Sequence, residues 1–118
     1  MVLPGGMPGT LNLERSDVVQ AVLFDCIQEE ILTAAICAAP SILGHKGYLK
    51  GKRATCYPGF EEALEGATTE STLVVRDGAI ITGKGPGAAI PFALEIVKAI
   101  SGETLANQIG MEMQWLQA

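Results

Sequence analysis

Apolar residues recur along the chain with the spacing of amphipathic helices in three segments. Positions 18, 19, 22, 23, 26 and 27 form one apolar stripe, which predicts a helix from Asp17 to about Glu30 with Ser16 as a good N-cap. The same periodicity predicts a helix over 87–100 and a last helix over 103–115, which Ser101 or Gly102 would cap. A helical turn is expected over 60–64.

Short apolar runs between these helices predict β-strands. Residues 31–36 and 53–56 are typical of short strands, and residues 73–76 and 79–82 predict a hairpin pair around Asp77-Gly78. Val2-Leu3 indicates the last residues of another strand. Because strands alternate with helices, the sequence predicts an α/β fold with a mostly parallel sheet, whose ligands bind beyond the carboxyl ends of the strands.

Cys37 lies where the apolar run 31–36 leads into a helix start at Pro40. A sharp turn from strand to helix needs small neighbours, and Ala34, Ala35, Ala38 and Ala39 meet this need. A thiol at a helix N-terminus is favoured as the reactive thiolate. The pattern equally allows a small buried cysteine that acts as a hydrophobic residue.

A distinctive loop follows each of four predicted strands: Gly5-Gly6, the Cys37 bend, Cys56–Gly59 and Lys84–Gly87. All of them except the Cys37 bend contain glycine. If these loops share one sheet edge, they would surround the thiol, and their backbone N–H groups could hold a substrate oxyanion. Tight turns also need glycine, so each pair taken singly is better explained by turn geometry. The prediction of a pocket therefore rests on all four loops lying at the same edge of the sheet.

Composition narrows the class of protein. The chain has 118 residues, 48% of them hydrophobic and 18% charged, which is typical of one compact domain. A net charge of −5, with a single basic cluster at 46–53, argues against a nucleic-acid partner. No apolar run is long enough to cross a membrane, so no membrane partner is expected. An odd, sparse set of 3 cysteines favours a cytoplasmic location, and with 1 histidine, His45, we expect neither a metal site nor another cofactor.

Four motifs together resemble the ThiJ/PfpI superfamily: Val2–Gly6, Ala34–Pro40, Gly85–Gly87 and Phe92–Val97. The similarity is to the branch of the Parkinsonism-associated deglycase and the bacterial thiazole-monophosphate biosynthesis proteins. It implies a flavodoxin-like three-layer sandwich, a homodimer, and a catalytic, oxidation-sensitive Cys37. It also implies an anion pocket lined by Gly5, Gly6 and Ala38, and a pocket wall that includes Tyr57, Lys84, Gly85 and Pro86.

The resemblance also implies that residues 1–118 are the C-terminal portion of a single domain, without the N-terminal third. The family places a glutamate beside the cysteine in that third. We therefore expect a separate chain, the N-terminal segment of the same protein, to supply it. The edge and core left open would make residues 1–118 alone unfolded or prone to aggregate.

Three departures from the family bear on function. Tyr57 stands where human-type members have a histidine, and Lys84 replaces an arginine and loses its planar fork. The peptidase-like branch has a histidine directly after the cysteine, where this chain has Ala38, which argues against a protease. The resemblance implies a cysteine-dependent enzyme of the glyoxalase III or deglycase type. Its small-molecule aldehyde substrates would be reactive dicarbonyls or their adducts, and it would protect against oxidative stress. A non-enzymatic redox sensor or chaperone with an oxidisable Cys37 is the alternative.

Overall fold

The computed structural model describes residues 1–116, which form six short strands and five α-helices. Two short 3-10 turns accompany them, at Glu61–Ala63 and Pro86–Ala88. In chain order the elements are β1 (Val2–Leu3), α1 (Gly9–Arg15), α2 (Asp17–Gln28), β2 (Thr33–Ile36), α3 (Pro40–His45), β3 (Arg53–Ala54), β4 (Thr68–Thr69), β5 (Val74–Asp77), β6 (Ile80–Gly83), α4 (Ala89–Ser101) and α5 (Glu103–Glu112).

The central sheet has the strand order β1-β2-β6-β5. β1 pairs parallel with β2, β2 pairs parallel with β6, and only the hairpin partner β5 runs antiparallel. β3 and β4 form a separate two-stranded parallel sheet. The carboxyl ends of β1, β2 and β6 therefore share one edge, where parallel α/β sheets bind their ligands.

Helices cover both faces of the central sheet. On one face, Leu3 and Ala35 pack with Leu23 of α2 and Ile42 of α3. On the other, Ala34 and Ile81 pack against Phe92 of α4, the helix that α5 flanks. Burial of each large aliphatic or aromatic side chain contributes about 1.5–3 kcal/mol, so the two cores hold the three layers together.

The structure confirms the predicted α/β fold with its mostly parallel sheet. Ser16 caps α2 by accepting a hydrogen bond from the Val19 N–H at 3.2 Å. The last predicted helix ends at Glu112 rather than Trp115. The short elements α1 and β4 were not predicted, because neither carries an apolar period long enough to detect.

One topological expectation was wrong. The strand predicted over 53–56 is only β3, Arg53–Ala54, and it lies outside the central sheet. Its segment docks on that sheet through a side chain, since the Thr55 N–H donates to Thr82 Oγ1 at 3.0 Å. The loop at Cys56–Gly59 therefore approaches the edge without following a central strand. Within residues 1–116 no helix has both the length and the hydrophobicity to cross a bilayer.

Candidate functional site

Cys37 occupies the bend between β2 and α3 with a φ of 66°, in the left-handed region. A residue other than glycine pays about 1–2 kcal/mol for this conformation. The surrounding backbone holds it there: the Cys37 N–H donates to the Gly83 carbonyl at 2.9 Å, and the Cys37 carbonyl accepts from the Tyr57 N–H at 2.8 Å. This is the geometry of a nucleophile elbow, which presents its side chain at the end of a sheet.

The elbow is closely packed from the side of β1. A Cβ placed on Gly5 would lie 2.6 Å from Cys37 Cβ and 2.7 Å from the Ile36 carbonyl oxygen. Ala38 and Ala39 are buried behind the bend. Only a glycine fits at position 5, because larger residues would displace the backbone that carries the thiol.

The half-buried Cys37 opens into a cavity of about 240 Å³. Its lining consists of Gly5, Gly6, Ile36, Cys37, Pro86 and Ala89. Among the described residues, the N–H groups of Gly6 and Ala38 donate to no other protein group. Ala38 itself lies behind the lining. Two unused amide donors beside a thiol form an arrangement that can hold an oxyanion.

Sequence reasoning missed two residues of this lining, Ile36 and Ala89, the latter at the first position of α4. Both are apolar and carry no chemical signature, so the cavity wall is more apolar than the glycine motifs suggest.

Gly83 was missed as well. A Cβ on Gly83 would lie 2.9 Å from Ile36 Cγ1 and 2.9 Å from Phe92 Cδ1. The glycine therefore lets α4 approach the end of β2, and a lone glycine at a strand end was the signal that could have indicated it.

The other predicted pocket residues lie in a neighbouring cavity of about 330 Å³. Tyr57, Lys84 and Gly85 line it, and Pro86 is shared with the cavity of Cys37. The Lys84 ammonium donates to the Ser71 carbonyl at 3.1 Å. The structure thus brings Gly5, Gly6, Cys37 and Pro86 together, and it places the Tyr57, Lys84 and Gly85 group beside them.

The two remaining cysteines are buried. Cys26 is 7% exposed and Cys56 is 4% exposed. Burial, together with the nearby Glu61 carboxylate, raises the pKa of the Cys56 thiol to about 11. The pKa of Glu61 is itself lowered by hydrogen bonds from its own N–H and from the Gly59 N–H, the latter at 2.7 Å. Cys56 is therefore protonated at neutral pH and a poor nucleophile.

No second acid or base lines the cavity of Cys37 in the part of the chain that the structure describes. His45 is placed elsewhere, where its Nδ1 lies 2.9 Å from Glu14 Oε2. Residues 1–116 also contain no cluster of three or more side chains suited to hold a metal ion. Within residues 1–116 the cavity lining therefore offers a thiol and amide donors, without an acidic or basic side chain beside them.

Fold and site together define an α/β protein with a cysteine at a nucleophile elbow. The model of the DJ-1/PfpI family matches residues 1–99, and the chain belongs to this family. Among curated relatives, Protein DJ-1alpha of Drosophila melanogaster is 38% identical over 117 residues, which cover 98% of this chain and 54% of that protein. The glutathione-independent glyoxalase DJR-1.2 of Caenorhabditis elegans is 34% identical over 112 residues, covering 92% of this chain and 59% of the relative.

Solved structures agree with this assignment. The crystal structure of Drosophila melanogaster DJ-1beta superposes with a TM-score of 0.91 at 34% identity, covering 98% of this chain and 63% of that one. This likeness confirms the flavodoxin-like fold and the resemblance to the ThiJ/PfpI superfamily. The chain spans between half and two thirds of the length of these relatives.

Proposed function

We propose that this protein is a cysteine-dependent glyoxalase that converts small dicarbonyls such as methylglyoxal into hydroxy acids without glutathione. The observation that carries the proposal is the left-handed Cys37, which opens into a cavity beside the unused amides of Gly6 and Ala38. A relative at 34% identity is named a glutathione-independent glyoxalase. A cavity of about 240 Å³ suits a substrate of a few heavy atoms.

The proposed reaction begins when the Cys37 thiolate forms a C–S bond with the aldehyde carbon. The π electron pair of the carbonyl moves to its oxygen and gives an oxyanion, which the amides of Gly6 and Ala38 stabilise. A base then moves the proton from C1 to C2 by way of the enediol, which leaves a thioester of the hydroxy acid. Water cleaves the C–S bond, releases lactate and restores the thiol, so the overall change is methylglyoxal plus water to lactate.

The proton transfer needs a group that the cavity lining of residues 1–116 does not supply. We assign it to a carboxylate carried by the N-terminal segment of the same protein, as a separate chain, with a homodimer as the working assembly. Three free cysteines favour a cytoplasmic setting. Deglycase activity on dicarbonyl adducts would use the same Cys37 thiol, and we propose it as a second activity of the same site.

The test is lactate formation from methylglyoxal in the absence of glutathione. It is measured on the complete product of the natural gene. We expect Cys37→Ser to abolish turnover. Cys26→Ser is the matched control, because it removes a buried thiol remote from the cavity and should keep turnover. A Cys37→Ser protein with unchanged turnover would overturn the proposal.

A redox sensor or chaperone is the second candidate function. A solved structure of Toxoplasma gondii DJ-1, described as oxidized, superposes on this chain with a TM-score of 0.90 at 31% identity, covering 96% of this chain and 62% of that one. Here Cys37 would be oxidised by peroxide to a sulfinate, whose oxygens would accept hydrogen bonds from the same amides. Selective oxidation of Cys37 without dicarbonyl turnover would favour this function over the glyoxalase.

A further inference from the structure

A second cavity, of about 260 Å³, lies at the end of the central sheet opposite to Cys37, where β6 begins and the chain enters β2. It shares no lining residue with the cavity of Cys37. Its wall is mostly apolar and includes Cys26, Ile27, Ile31, Tyr48 and Ile80, and we call it the Lys52 cavity. A cavity of about 150 Å³ accommodates benzene, so this one has room for a ligand of about ten heavy atoms.

The turn at the end of α2 fixes one wall of the Lys52 cavity. The Ile31 N–H donates to the Cys26 carbonyl at 2.8 Å, and the Glu30 N–H donates to the Ile27 carbonyl at 3.3 Å. With Glu30 at a φ of 54°, this is a Schellman motif, which holds Ile31 beside the last turn of the helix. Ile31 is nevertheless 50% exposed. The wall is therefore built from ordered backbone and presents an accessible apolar side chain.

Lys52 places a positive charge at the rim of this cavity. Its Nζ lies 3.7 Å from where a Cβ on Gly78 would stand, and Gly78 is part of the lining. The Lys52 side chain is half-buried, and it forms no ion pair within residues 1–116. A half-buried ammonium has lost part of its hydration, so an anionic partner would stabilise it.

Glu30 is the other charged side chain of the lining. It is exposed, so its carboxylate keeps its hydration and solvent screens its charge. The cavity thus combines an apolar interior with one partly dehydrated cation. Small-molecule sites in proteins have this composition, since apolar walls bind the body of the ligand and a few polar groups fix its orientation.

We propose that the Lys52 cavity binds a small aryl carboxylate. The aromatic body lies against Ile27, Tyr48 and Ile80, which offer an aromatic ring and aliphatic side chains for contact, and the carboxylate pairs with the Lys52 ammonium. The binding is non-covalent. It is independent of the reaction proposed for Cys37, because the two cavities have separate linings.

Phenylacetate is the probe, titrated into the complete product of the natural gene with isotope-labelled isoleucine methyl groups and followed by NMR. We expect the methyl signals of Ile27, Ile31 and Ile80 to shift, with a Kd on the order of 0.1–1 mM. Ile36 lines the cavity of Cys37 and is the internal control, whose signal should stay in place. Shifts confined to Ile36, or no shifts at all, would overturn the proposal.

Two lysine variants test the role of the charge. Lys52→Met keeps an unbranched side chain without the ammonium, and it should weaken phenylacetate binding by about tenfold or more. Lys50→Met is the matched control, because Lys50 is exposed and lies outside the lining. It should leave the Kd unchanged. Equal Kd values for the two variants would show that Lys52 does not bind the carboxylate.

The sign of the ligand's charge is tested separately. Phenethylamine has the same ring with an ammonium group, and it should bind about tenfold or more weakly than phenylacetate. Glu30→Gln should keep or strengthen phenylacetate binding, because it removes a negative charge from the rim of an anion site. Tighter binding of the amine, or weaker binding of phenylacetate to Glu30→Gln, would assign the cavity to cationic or zwitterionic compounds and contradict the proposal.

Discussion

Gly5 and Cys37 are in such close contact that a Cβ on the glycine would stand 2.6 Å from the Cβ of the cysteine. The two residues follow neighbouring parallel strands, β1 and β2. The backbone on the Cys37 side of this contact is held in place, because the Cys37 N–H and carbonyl are both hydrogen-bonded. The orientation of the Cys37 thiol therefore depends on Gly5, two residues after β1, having no side chain.

Gly5→Ala should consequently displace the elbow. We expect it to destabilise the protein by about 1–3 kcal/mol, as overpacking does, and to slow the alkylation of Cys37 by roughly tenfold or more. Gly9→Ala is the matched control, since a Cβ there meets nothing within 4 Å. Urea unfolding and iodoacetamide kinetics measure the two effects. Equal behaviour of the two variants would show that the close contact relaxes without cost.

The left-handed conformation of Cys37 predicts a difference between two variants that both lack the thiol. Cys37→Gly should be more stable than Cys37→Ala by about 1 kcal/mol, because glycine adopts a φ of 66° without steric strain. Both variants should be inactive. Thermal unfolding at one pH gives the comparison, and an alanine variant as stable as the glycine variant would argue against strain at the elbow.

The three thiols should differ in their reaction with peroxide. Cys37 is half-buried, whereas Cys26 and Cys56 are buried, with 7% and 4% of their surface exposed. Mild hydrogen peroxide should therefore add two oxygens to Cys37 first, which tandem mass spectrometry of the digested protein would detect. The Cys37→Ser variant should acquire no sulfinate under the same conditions. Oxidation of Cys56 at an equal rate would contradict the assigned burial.

The raised pKa of Cys56 predicts a loss of stability at high pH. Its folded-state pKa is about 11 against an ordinary value of 9.0. Below pH 9 the thiol is protonated in both states; above it the unfolded chain ionises first and unfolding becomes more favourable. At about 1.36 kcal/mol for each pKa unit, the loss is complete above pH 11 and reaches roughly 3 kcal/mol.

Cys56→Ala should lack this component. The difference in free energy of unfolding between the wild-type protein and the variant should shrink as the pH rises through the interval from 9 to about 11. Urea titrations at a series of pH values measure it, and other groups cancel in the comparison. Parallel curves for the two proteins would show that the Cys56 thiol ionises in the folded state as easily as in the unfolded chain.

The elements that carry strong local signals were predictable from the sequence. Ser16 before an apolar stripe marked α2, Asp77-Gly78 marked the hairpin, and the small residues around Cys37 marked the bend. These signals lie within a few residues of the feature that they predict. They also sufficed to place Gly5, Gly6 and Cys37 at one edge, since parallel strands have aligned carboxyl ends.

Features set by contacts distant in the sequence were not predictable in this way. The segment after Arg53 docks through the hydrogen bond from the Thr55 N–H to Thr82 Oγ1. The local sequence at neither position indicates that the two residues pair. The division between the cavity of Cys37 and that of Lys84 likewise depends on how Pro86 lies between them. Sequence patterns identified the residues of this region, whereas three-dimensional packing determines which of them line the same cavity.

The hydrogen bond from the Tyr57 N–H to the Cys37 carbonyl joins Cys37 to the neighbouring cavity through main-chain atoms alone. Any amino acid except proline can supply that N–H. The side chain at position 57 can therefore be changed while the bend at Cys37 keeps its shape. The wall of the neighbouring cavity can thus be altered at this position without rebuilding the backbone around Cys37.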